Sequence, residues 1–214
     1  MYNYSIDVLR MFAIDIEEDF DNNIIKIKGN QLYQQRDTIV EGDYSNAAFL
    51  DAFNYIGGSV EVEGLNPLTL QGDSLYKKYF NILSKEVMPV IDIANTIDLG
   101  PILFVMASLL NGAIFKGVKR LRIKESDRVL CVCEELAKFG VKYEISFDEC
   151  VIYQSILHKP IDTIDSHNDH RLVMAFTVML SKFGGIIENT EAVNKSFPNF
   201  FDVIKDLNIE VQDE

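Results

Sequence analysis

Three stretches of this chain share one layout: an acidic residue, an apolar helical run, a glycine, and then β-branched residues. They begin at Asp43, Asp98 and Asp169 and close on Gly57-Gly58, Gly112 and Gly184-Gly185. Glycine past an apolar periodic run marks a helix end, and the β-branched residues beyond it mark a strand. The starts lie 55 and 71 residues apart, too irregular for a solenoid but suited to three copies of one unit. A second, more amphipathic helix is predicted after each strand, over residues 75–83, 126–139 and 198–207. A lone helix of this second kind is predicted over 5–12, followed by a hairpin of 14–20 and 24–28 around Asp21-Asn22-Asn23. The pattern therefore opens midway through a repeat.

That imbalance has a physical consequence. The three first-type helices are apolar nearly all round and must be sheathed by sheet on several sides. An orphan half-repeat leaves one apolar face to be covered. Self-association through it would do so; the favoured expectation is that the chain is a piece of something larger.

Composition narrows the function. With 48% apolar and 25% charged residues, the chain is neither disordered nor a disulfide or collagen scaffold. A net charge of −13 repels phosphate at long range, which argues against nucleic acid and anionic membranes as partners. Any anionic ligand must be drawn to a local basic patch. Three cysteines, two as Cys131-x-Cys133, suit a reducing compartment, and residues 1–10 lack a signal peptide's basic start and apolar run, so a cytoplasmic location is expected. Residues 99–115 carry no charge, yet 17 residues interrupted by Gly100-Pro101 and Asn111-Gly112 predict a buried helix rather than a membrane span.

The candidate chemistry sits at helix starts. If the three first-type helices run parallel, their amino-terminal N–H groups and dipoles share one face, able to receive anions. Asp43, Asp98 and Asp169 are each candidate N-caps there. Residues 116–128 hold six cations (Lys116, Lys119, Arg120, Arg122, Lys124, Arg128) against Glu125 and Asp127. Their alternation predicts a strand over 119–124, with Arg120, Arg122 and Lys124 on one face, leading into a helix near Ser126. Asp165, His167, Asp169 and His170 are competent metal ligands but lack metal-site spacing, so no metal is expected. Asp169-His170-Arg171 at a helix start suits phosphate or carboxylate recognition better, and Lys195 on its loop could close on the same anion.

These motifs resemble the carboxy-terminal part of the 5-enolpyruvylshikimate-3-phosphate synthase family. The stretches that carry the resemblance are 40–48 (VEGDYSNAA), 98–101 (DLGP), 122–128 (RIKESDR), 168–171 (NDHR) and 195–198 (KSFP), in order along essentially the whole chain. The Lys-Glu-Ser-Asp-Arg and Asn-Asp-His-Arg pair separates it from the sibling UDP-N-acetylglucosamine enolpyruvyl transferases, which share the fold.

The resemblance implies an α/β (α+β) fold, an inside-out barrel of βαβαββ repeats with parallel helices buried and sheets outside. Residues 1–40 would be the trailing half-repeat of an upper domain and 41–214 a complete lower domain, with the amino-terminal domain missing. It implies transfer of the enolpyruvyl group of phosphoenolpyruvate to the 5-hydroxyl of shikimate 3-phosphate, without metal or organic cofactor. By position, Asp98 matches the carboxylate beside the 5-hydroxyl and Glu125 the proton donor to the methylene carbon. Lys124 matches a contact to the hydroxyls of shikimate 3-phosphate, while Arg128, His170, Arg171 and Lys195 match the groups around phosphoenolpyruvate, which also contact glyphosate. Arg120 stands where some members carry a substrate-contacting Asn. With one wall of the cleft absent, the chain alone is expected to be nearly inactive; a non-catalytic binding domain of the same fold is the alternative.

Overall fold

The computed structural model describes residues 2–212. Helix α1 (Tyr2–Met11) leads into an antiparallel hairpin of β1 (Ile16–Asp19) and β2 (Ile24–Ile27). The turn falls at Asp21-Asn22-Asn23 as the sequence predicts, closed by the Asp19 carboxylate accepting from the Asn22 N–H, with Asn23 at φ +53. Ile6, Ile14 and Ile16 make a small core of their own, separate from the main one.

The main core is built on three helices. Asp43 caps α2 (Tyr44–Asp51), its carboxylate accepting from the Ser45 and Asn46 N–H groups. Helix α3 (Tyr76–Lys85) packs on its amphipathic face, burying Tyr76, Tyr79, Phe80 and Leu83. Next comes a full βαβαββ unit: β3 (Val90–Asp92), α4 (Gly100–Leu109), β4 (Ala113–Lys116), α5 (Arg128–Ala137), β5 (Tyr143–Ile145) and β6 (Glu149–Ile152). Its four strands form one sheet in the order β3-β4-β6-β5, with only β3 and β4 parallel. Parallel neighbours require a crossover, and α4 supplies it. The uncharged stretch 99–115 is thus a helix, a glycine turn and a strand, with α4 buried from Gly100 through Ser108. The third repeat runs β7 (Ile164–Asp165), α6 (His170–Phe183), β8 (Ile187–Glu188) and α7 (Phe200–Asp206), with β7 and β8 parallel across α6. No helix among the described residues is long and apolar enough to cross a membrane.

The three apolar helices point the same way. Arg128 ties Asp98, at the entry to α4, to Asp169, the cap of α6. At their far ends Ser108 Oγ lies 4.0 Å from Met179 Sδ. Helix α2 follows suit: near its start Asn46 donates to the Ser196 carbonyl beside Lys195, while Phe53 and Ile56 beyond its end share a cavity of about 250 Å³ with Ser181 and Lys182.

Three expectations need correcting. Residues 59–63, with their β-branched Val60 and Val62, form no strand, because the Asn54 side-chain amide takes both backbone groups of Val60, N–H at 2.6 Å and carbonyl at 2.8 Å. Residues 119–124 are not a strand either. Gly117, at φ +76, turns the chain off β4 into a 3-10 helix over Val118–Ile123, and the Lys119 N–H is claimed by the Asp148 carboxylate. A side chain at 117 would meet the Ala94 backbone nitrogen at 2.8 Å, so only glycine permits this turn. Third, Asp98 caps nothing: it lies within a 3-10 turn (Ile97–Leu99), and Leu99 holds the position before α4.

Candidate active site

Released from capping, the Asp98 side chain is free to meet cations. The turn that displaced the predicted strand delivers them. Lys124 Nζ lies 3.2 Å from Asp98 Oδ1, and Arg128 Nη1 lies 2.9 Å from the same oxygen. Arg120 and Arg122 do not join Lys124 on one face, as the lost alternation had suggested. Arg120 donates to the Ala94 carbonyl, and Arg122 pairs with Asp127 and donates to the Ser146 carbonyl. Asp127 meanwhile caps α5, accepting from the Val129 and Leu130 N–H groups.

Arg128 is the hub. Only 1% exposed, it spreads its guanidinium over three carboxylates. Nε and Nη2 grip Asp169 at 2.7 and 3.1 Å, Nη1 reaches Asp98, and Nη2 reaches Glu125 at 2.8 Å. Such planar donor geometry is what distinguishes arginine from lysine at a multi-carboxylate site. Burial alone would push the guanidinium down; Asp169, Asp98 and Glu125 outweigh it and hold Arg128 above its ordinary value. Ser126 adds a hydroxyl to Asp169 at 3.1 Å, and Lys195 closes on Glu125 Oε1 at 2.5 Å across 70 residues of sequence.

Around this cluster sit groups with unused donors. Arg171, on the first turn of α6, lies with its guanidinium 5.8 Å from the Phe49 ring centroid, and its Nε and Nη1 are buried without hydrogen-bond partners. The neighbouring His170 is buried too, its Nδ1 likewise unpartnered. Burial, reinforced by Arg171, pushes the His170 imidazole below its ordinary value, so it is neutral near pH 7. Buried donors left empty cost free energy, which an incoming anion would recover.

The carboxylates are poised in their charged forms. Burial pushes Asp98 up, but Arg171, Lys124 and Arg128 together hold it below the usual aspartate value. Burial likewise acts upward on Glu125; the Lys195 hydrogen bond, its own backbone and Arg128 overcome this and bring it down to about 2. Depressed carboxyl groups stabilise the fold above their unfolded values, and that contribution disappears as pH falls through the folded ones. The Glu125 contribution is therefore complete above its ordinary 4.5 and is lost on the way down to about 2. Urea midpoints followed between neutral and strongly acid pH should fall in that window, and Glu125→Gln should flatten the fall.

All seven residues singled out from the sequence (Asp98, Lys124, Glu125, Arg128, His170, Arg171 and Lys195) thus gather at one lip, where α2, α4 and α6 begin. Asp169 does more than its predicted capping, since it also clamps Arg128; its Asn-Asp-His-Arg context was the available signal. Ser126 and Asp73 were missed. Asp73 sits on a 3-10 turn (Gly72–Leu75) and accepts from the Ser45 hydroxyl; a lone Asp after Gln71-Gly72 carried no signal. The ligand-like set Asp165, His167, Asp169 and His170 does not converge. Asp169 serves Arg128, while His167 lies between Glu135 and Asp165, and no metal-competent His/Cys/Asp/Glu group occurs among the described residues.

Comparison with known proteins places the chain as a whole. Residues 2–204 match the sequence model of EPSP synthase (3-phosphoshikimate 1-carboxyvinyltransferase). The chain belongs to the EPSP synthase family. The 3-phosphoshikimate 1-carboxyvinyltransferase of Brachyspira hyodysenteriae is 34% identical, over 89% of this chain and 50% of the relative. That of Methanocaldococcus jannaschii is 35% identical, over 97% and 53%. The chain spans about half the length of the EPSP synthase relatives it matches. An EPSP synthase structure from Acinetobacter baumannii superposes on 95% of the chain with a TM-score of 0.77 at 23% identity, which speaks to the fold.

Proposed function

We propose that this chain forms one wall of an enolpyruvyl transferase cleft, which moves the enolpyruvyl group of phosphoenolpyruvate to the 5-hydroxyl of shikimate 3-phosphate and releases phosphate. The observation that carries the reading is Arg128, buried between Asp98, Glu125 and Asp169 at the start of the apolar helices. Both substrates are polyanions, so the site must supply cations and helix ends to hold them and carboxylates to move protons.

Each side chain then has a part. Arg171, Lys195 and Arg128 hold the carboxylate and phosphate of phosphoenolpyruvate, with neutral His170 beside them. Lys124 orients the hydroxyls of shikimate 3-phosphate toward Asp98. The 5-hydroxyl oxygen bonds to the central vinyl carbon and gives its proton to Asp98, while the methylene carbon takes a proton from Glu125. The tetrahedral intermediate then breaks its carbon–oxygen bond to phosphate, which leaves with the proton held by Asp98, and the methyl group returns a proton to Glu125 as the double bond re-forms.

Residues 1–40 belong, in this reading, to the trailing half-repeat of an upper domain, and 41–214 to a lower domain of inside-out barrel type. The separate Ile6, Ile14, Ile16 core supports that division, as do Phe20, Leu32 and Tyr33, all about two-thirds exposed or more on the first part. An amino-terminal counterpart is the partner that would cover this surface, with self-association as its substitute. Positioning by a complete cleft supplies about 7–11 kcal/mol of barrier lowering, so the chain by itself should turn over barely or not at all. The test mixes it with the amino-terminal half of a relative and follows phosphate release from both substrates. Activity should appear on mixing; none, with both halves folded, would count against the reading.

A further inference from the structure

Beside the Arg128 cluster a cavity of about 160 Å³ opens, lined by Tyr4, Ser5, Ser45, Asp73, Asn95 and Asp98 among others. Its polar lining consists of hydroxyls, side-chain amides and carboxylates, groups to which a hydroxyl-bearing ligand can hydrogen-bond. The two carboxylates have opposite company. Asp98 is ion-paired to Lys124 and Arg128. Asp73 makes no ion pair among the described residues; it accepts the Ser45 hydroxyl, which the first turn of α2 holds out to it. Arg171 lies close enough for its charge to act on both carboxylates, and its buried Nε and Nη1 are unpartnered.

We propose that Asp73 is a positioning residue for the reaction: with Asp98 it forms a coupled carboxylate pair across this cavity, and it acts through Asp98 by fixing which of the two is charged when a hydroxyl group enters. The proposal rests on the function inferred above. It differs from a lone-base scheme in what sets the strength of the base. As the hydroxyl oxygen bonds to carbon, its proton passes to Asp98, whose affinity for it is raised by the charge on Asp73 against two adjacent cations.

The electrostatics agree with the placement. Burial pushes Asp73 up; the Ser45 hydroxyl opposes this, the charge on Asp98 adds to it, Arg171 opposes it and Asp43 adds to it, leaving Asp73 above its ordinary value. Asp98 moves the other way. Neighbouring carboxyl groups whose surroundings separate their proton affinities are the arrangement that divides acid and base roles, and their titrations belong to the pair.

Carbon-13 NMR of the aspartate carboxyls in the intact chain tests this directly. With wild type, Asp73 should titrate above Asp98, and Asp73→Asn should shift the Asp98 titration further down, since a like charge is gone. Ser45→Ala should move the Asp73 titration up by removing a hydrogen bond to its charged form. An Asp98 titration unmoved in a folded Asp73→Asn protein overturns the proposal. If that variant does not fold, an Asp73 titration unmoved in Ser45→Ala overturns it instead. Added phosphoenolpyruvate gives a separate reading: no response to it, with the coupled titrations intact, counts against the enolpyruvyl function and not against the pair.

Discussion

Replacing Arg128 by methionine should lower the stability of the chain by about 3–5 kcal/mol, the usual cost of removing one partner from a buried ion pair. The methionine fills comparable space, so little of the loss comes from a cavity. What remains is electrostatic. Asp169 is fully buried and would keep only the Ser126 hydroxyl and the Arg171 N–H, while Asp98 and Glu125 would each lose a cation. Arg128→Lys should recover part of the loss but not all, because one ammonium cannot face three carboxylates in the directions the guanidinium does. Urea denaturation at neutral pH measures both variants. A destabilisation below about 1 kcal/mol for the methionine variant, within the range of an exposed pair, would mean that the hub is solvated rather than buried.

Glu125→Gln should reduce turnover of the reassembled two-half enzyme by about 10²–10⁴, the usual contribution of a positioned proton donor. If Glu125 is the proposed donor, its state in the free site requires the substrate to change it. At about 2 it is ionised near neutrality, held there by Lys195 and Arg128. A donor in that state has no proton to give. In the proposed reading phosphoenolpyruvate would supply the missing element, because its negative charge would draw Lys195 and Arg128 to itself and raise the proton affinity of Glu125. Binding should therefore take up protons. Calorimetry of phosphoenolpyruvate binding in two buffers of different ionisation enthalpy would read the uptake, and the Glu125→Gln variant should show less of it. Equal heats in both buffers for wild type would remove Glu125 from the donor role.

The sequence was most informative where a local signal and a local structure coincide. Asp43 and Asp169 precede apolar runs and do cap helices, and Gly184 does end α6, whereas α2 ends at Ala52 and runs on into a 3-10 turn before Gly57. The Asp21-Asn22-Asn23 turn also needs nothing beyond its own residues. The failures share another cause: a distant or neighbouring group takes over backbone that a periodic pattern had assigned to a ladder. Asn54 does this to Val60, and Asp148 does it to Lys119 beyond the left-handed Gly117. Asp98 looked like a cap because it stands before an apolar helix, yet an intervening 3-10 turn redirects it to Lys124 and Arg128. That displacement brings it into the charged cluster at the helix starts. Asp73 was illegible for the converse reason, since its importance lies in Ser45, Asp98 and Arg171, none of them near it in a recognisable motif.

Whether one anion-binding lip exists is best decided by titrating the isotopically labelled chain with phosphoenolpyruvate and mapping backbone amide shifts. The amides that move should be those of Ser45, Gly100 and Arg171 at the three helix starts, with Lys124, Glu125, Arg128 and Lys195, while Ser181 and Leu207 at the far end stay still. Shifts centred on Ser181 and Leu207, or none at millimolar ligand, would place anion recognition elsewhere and contradict the site.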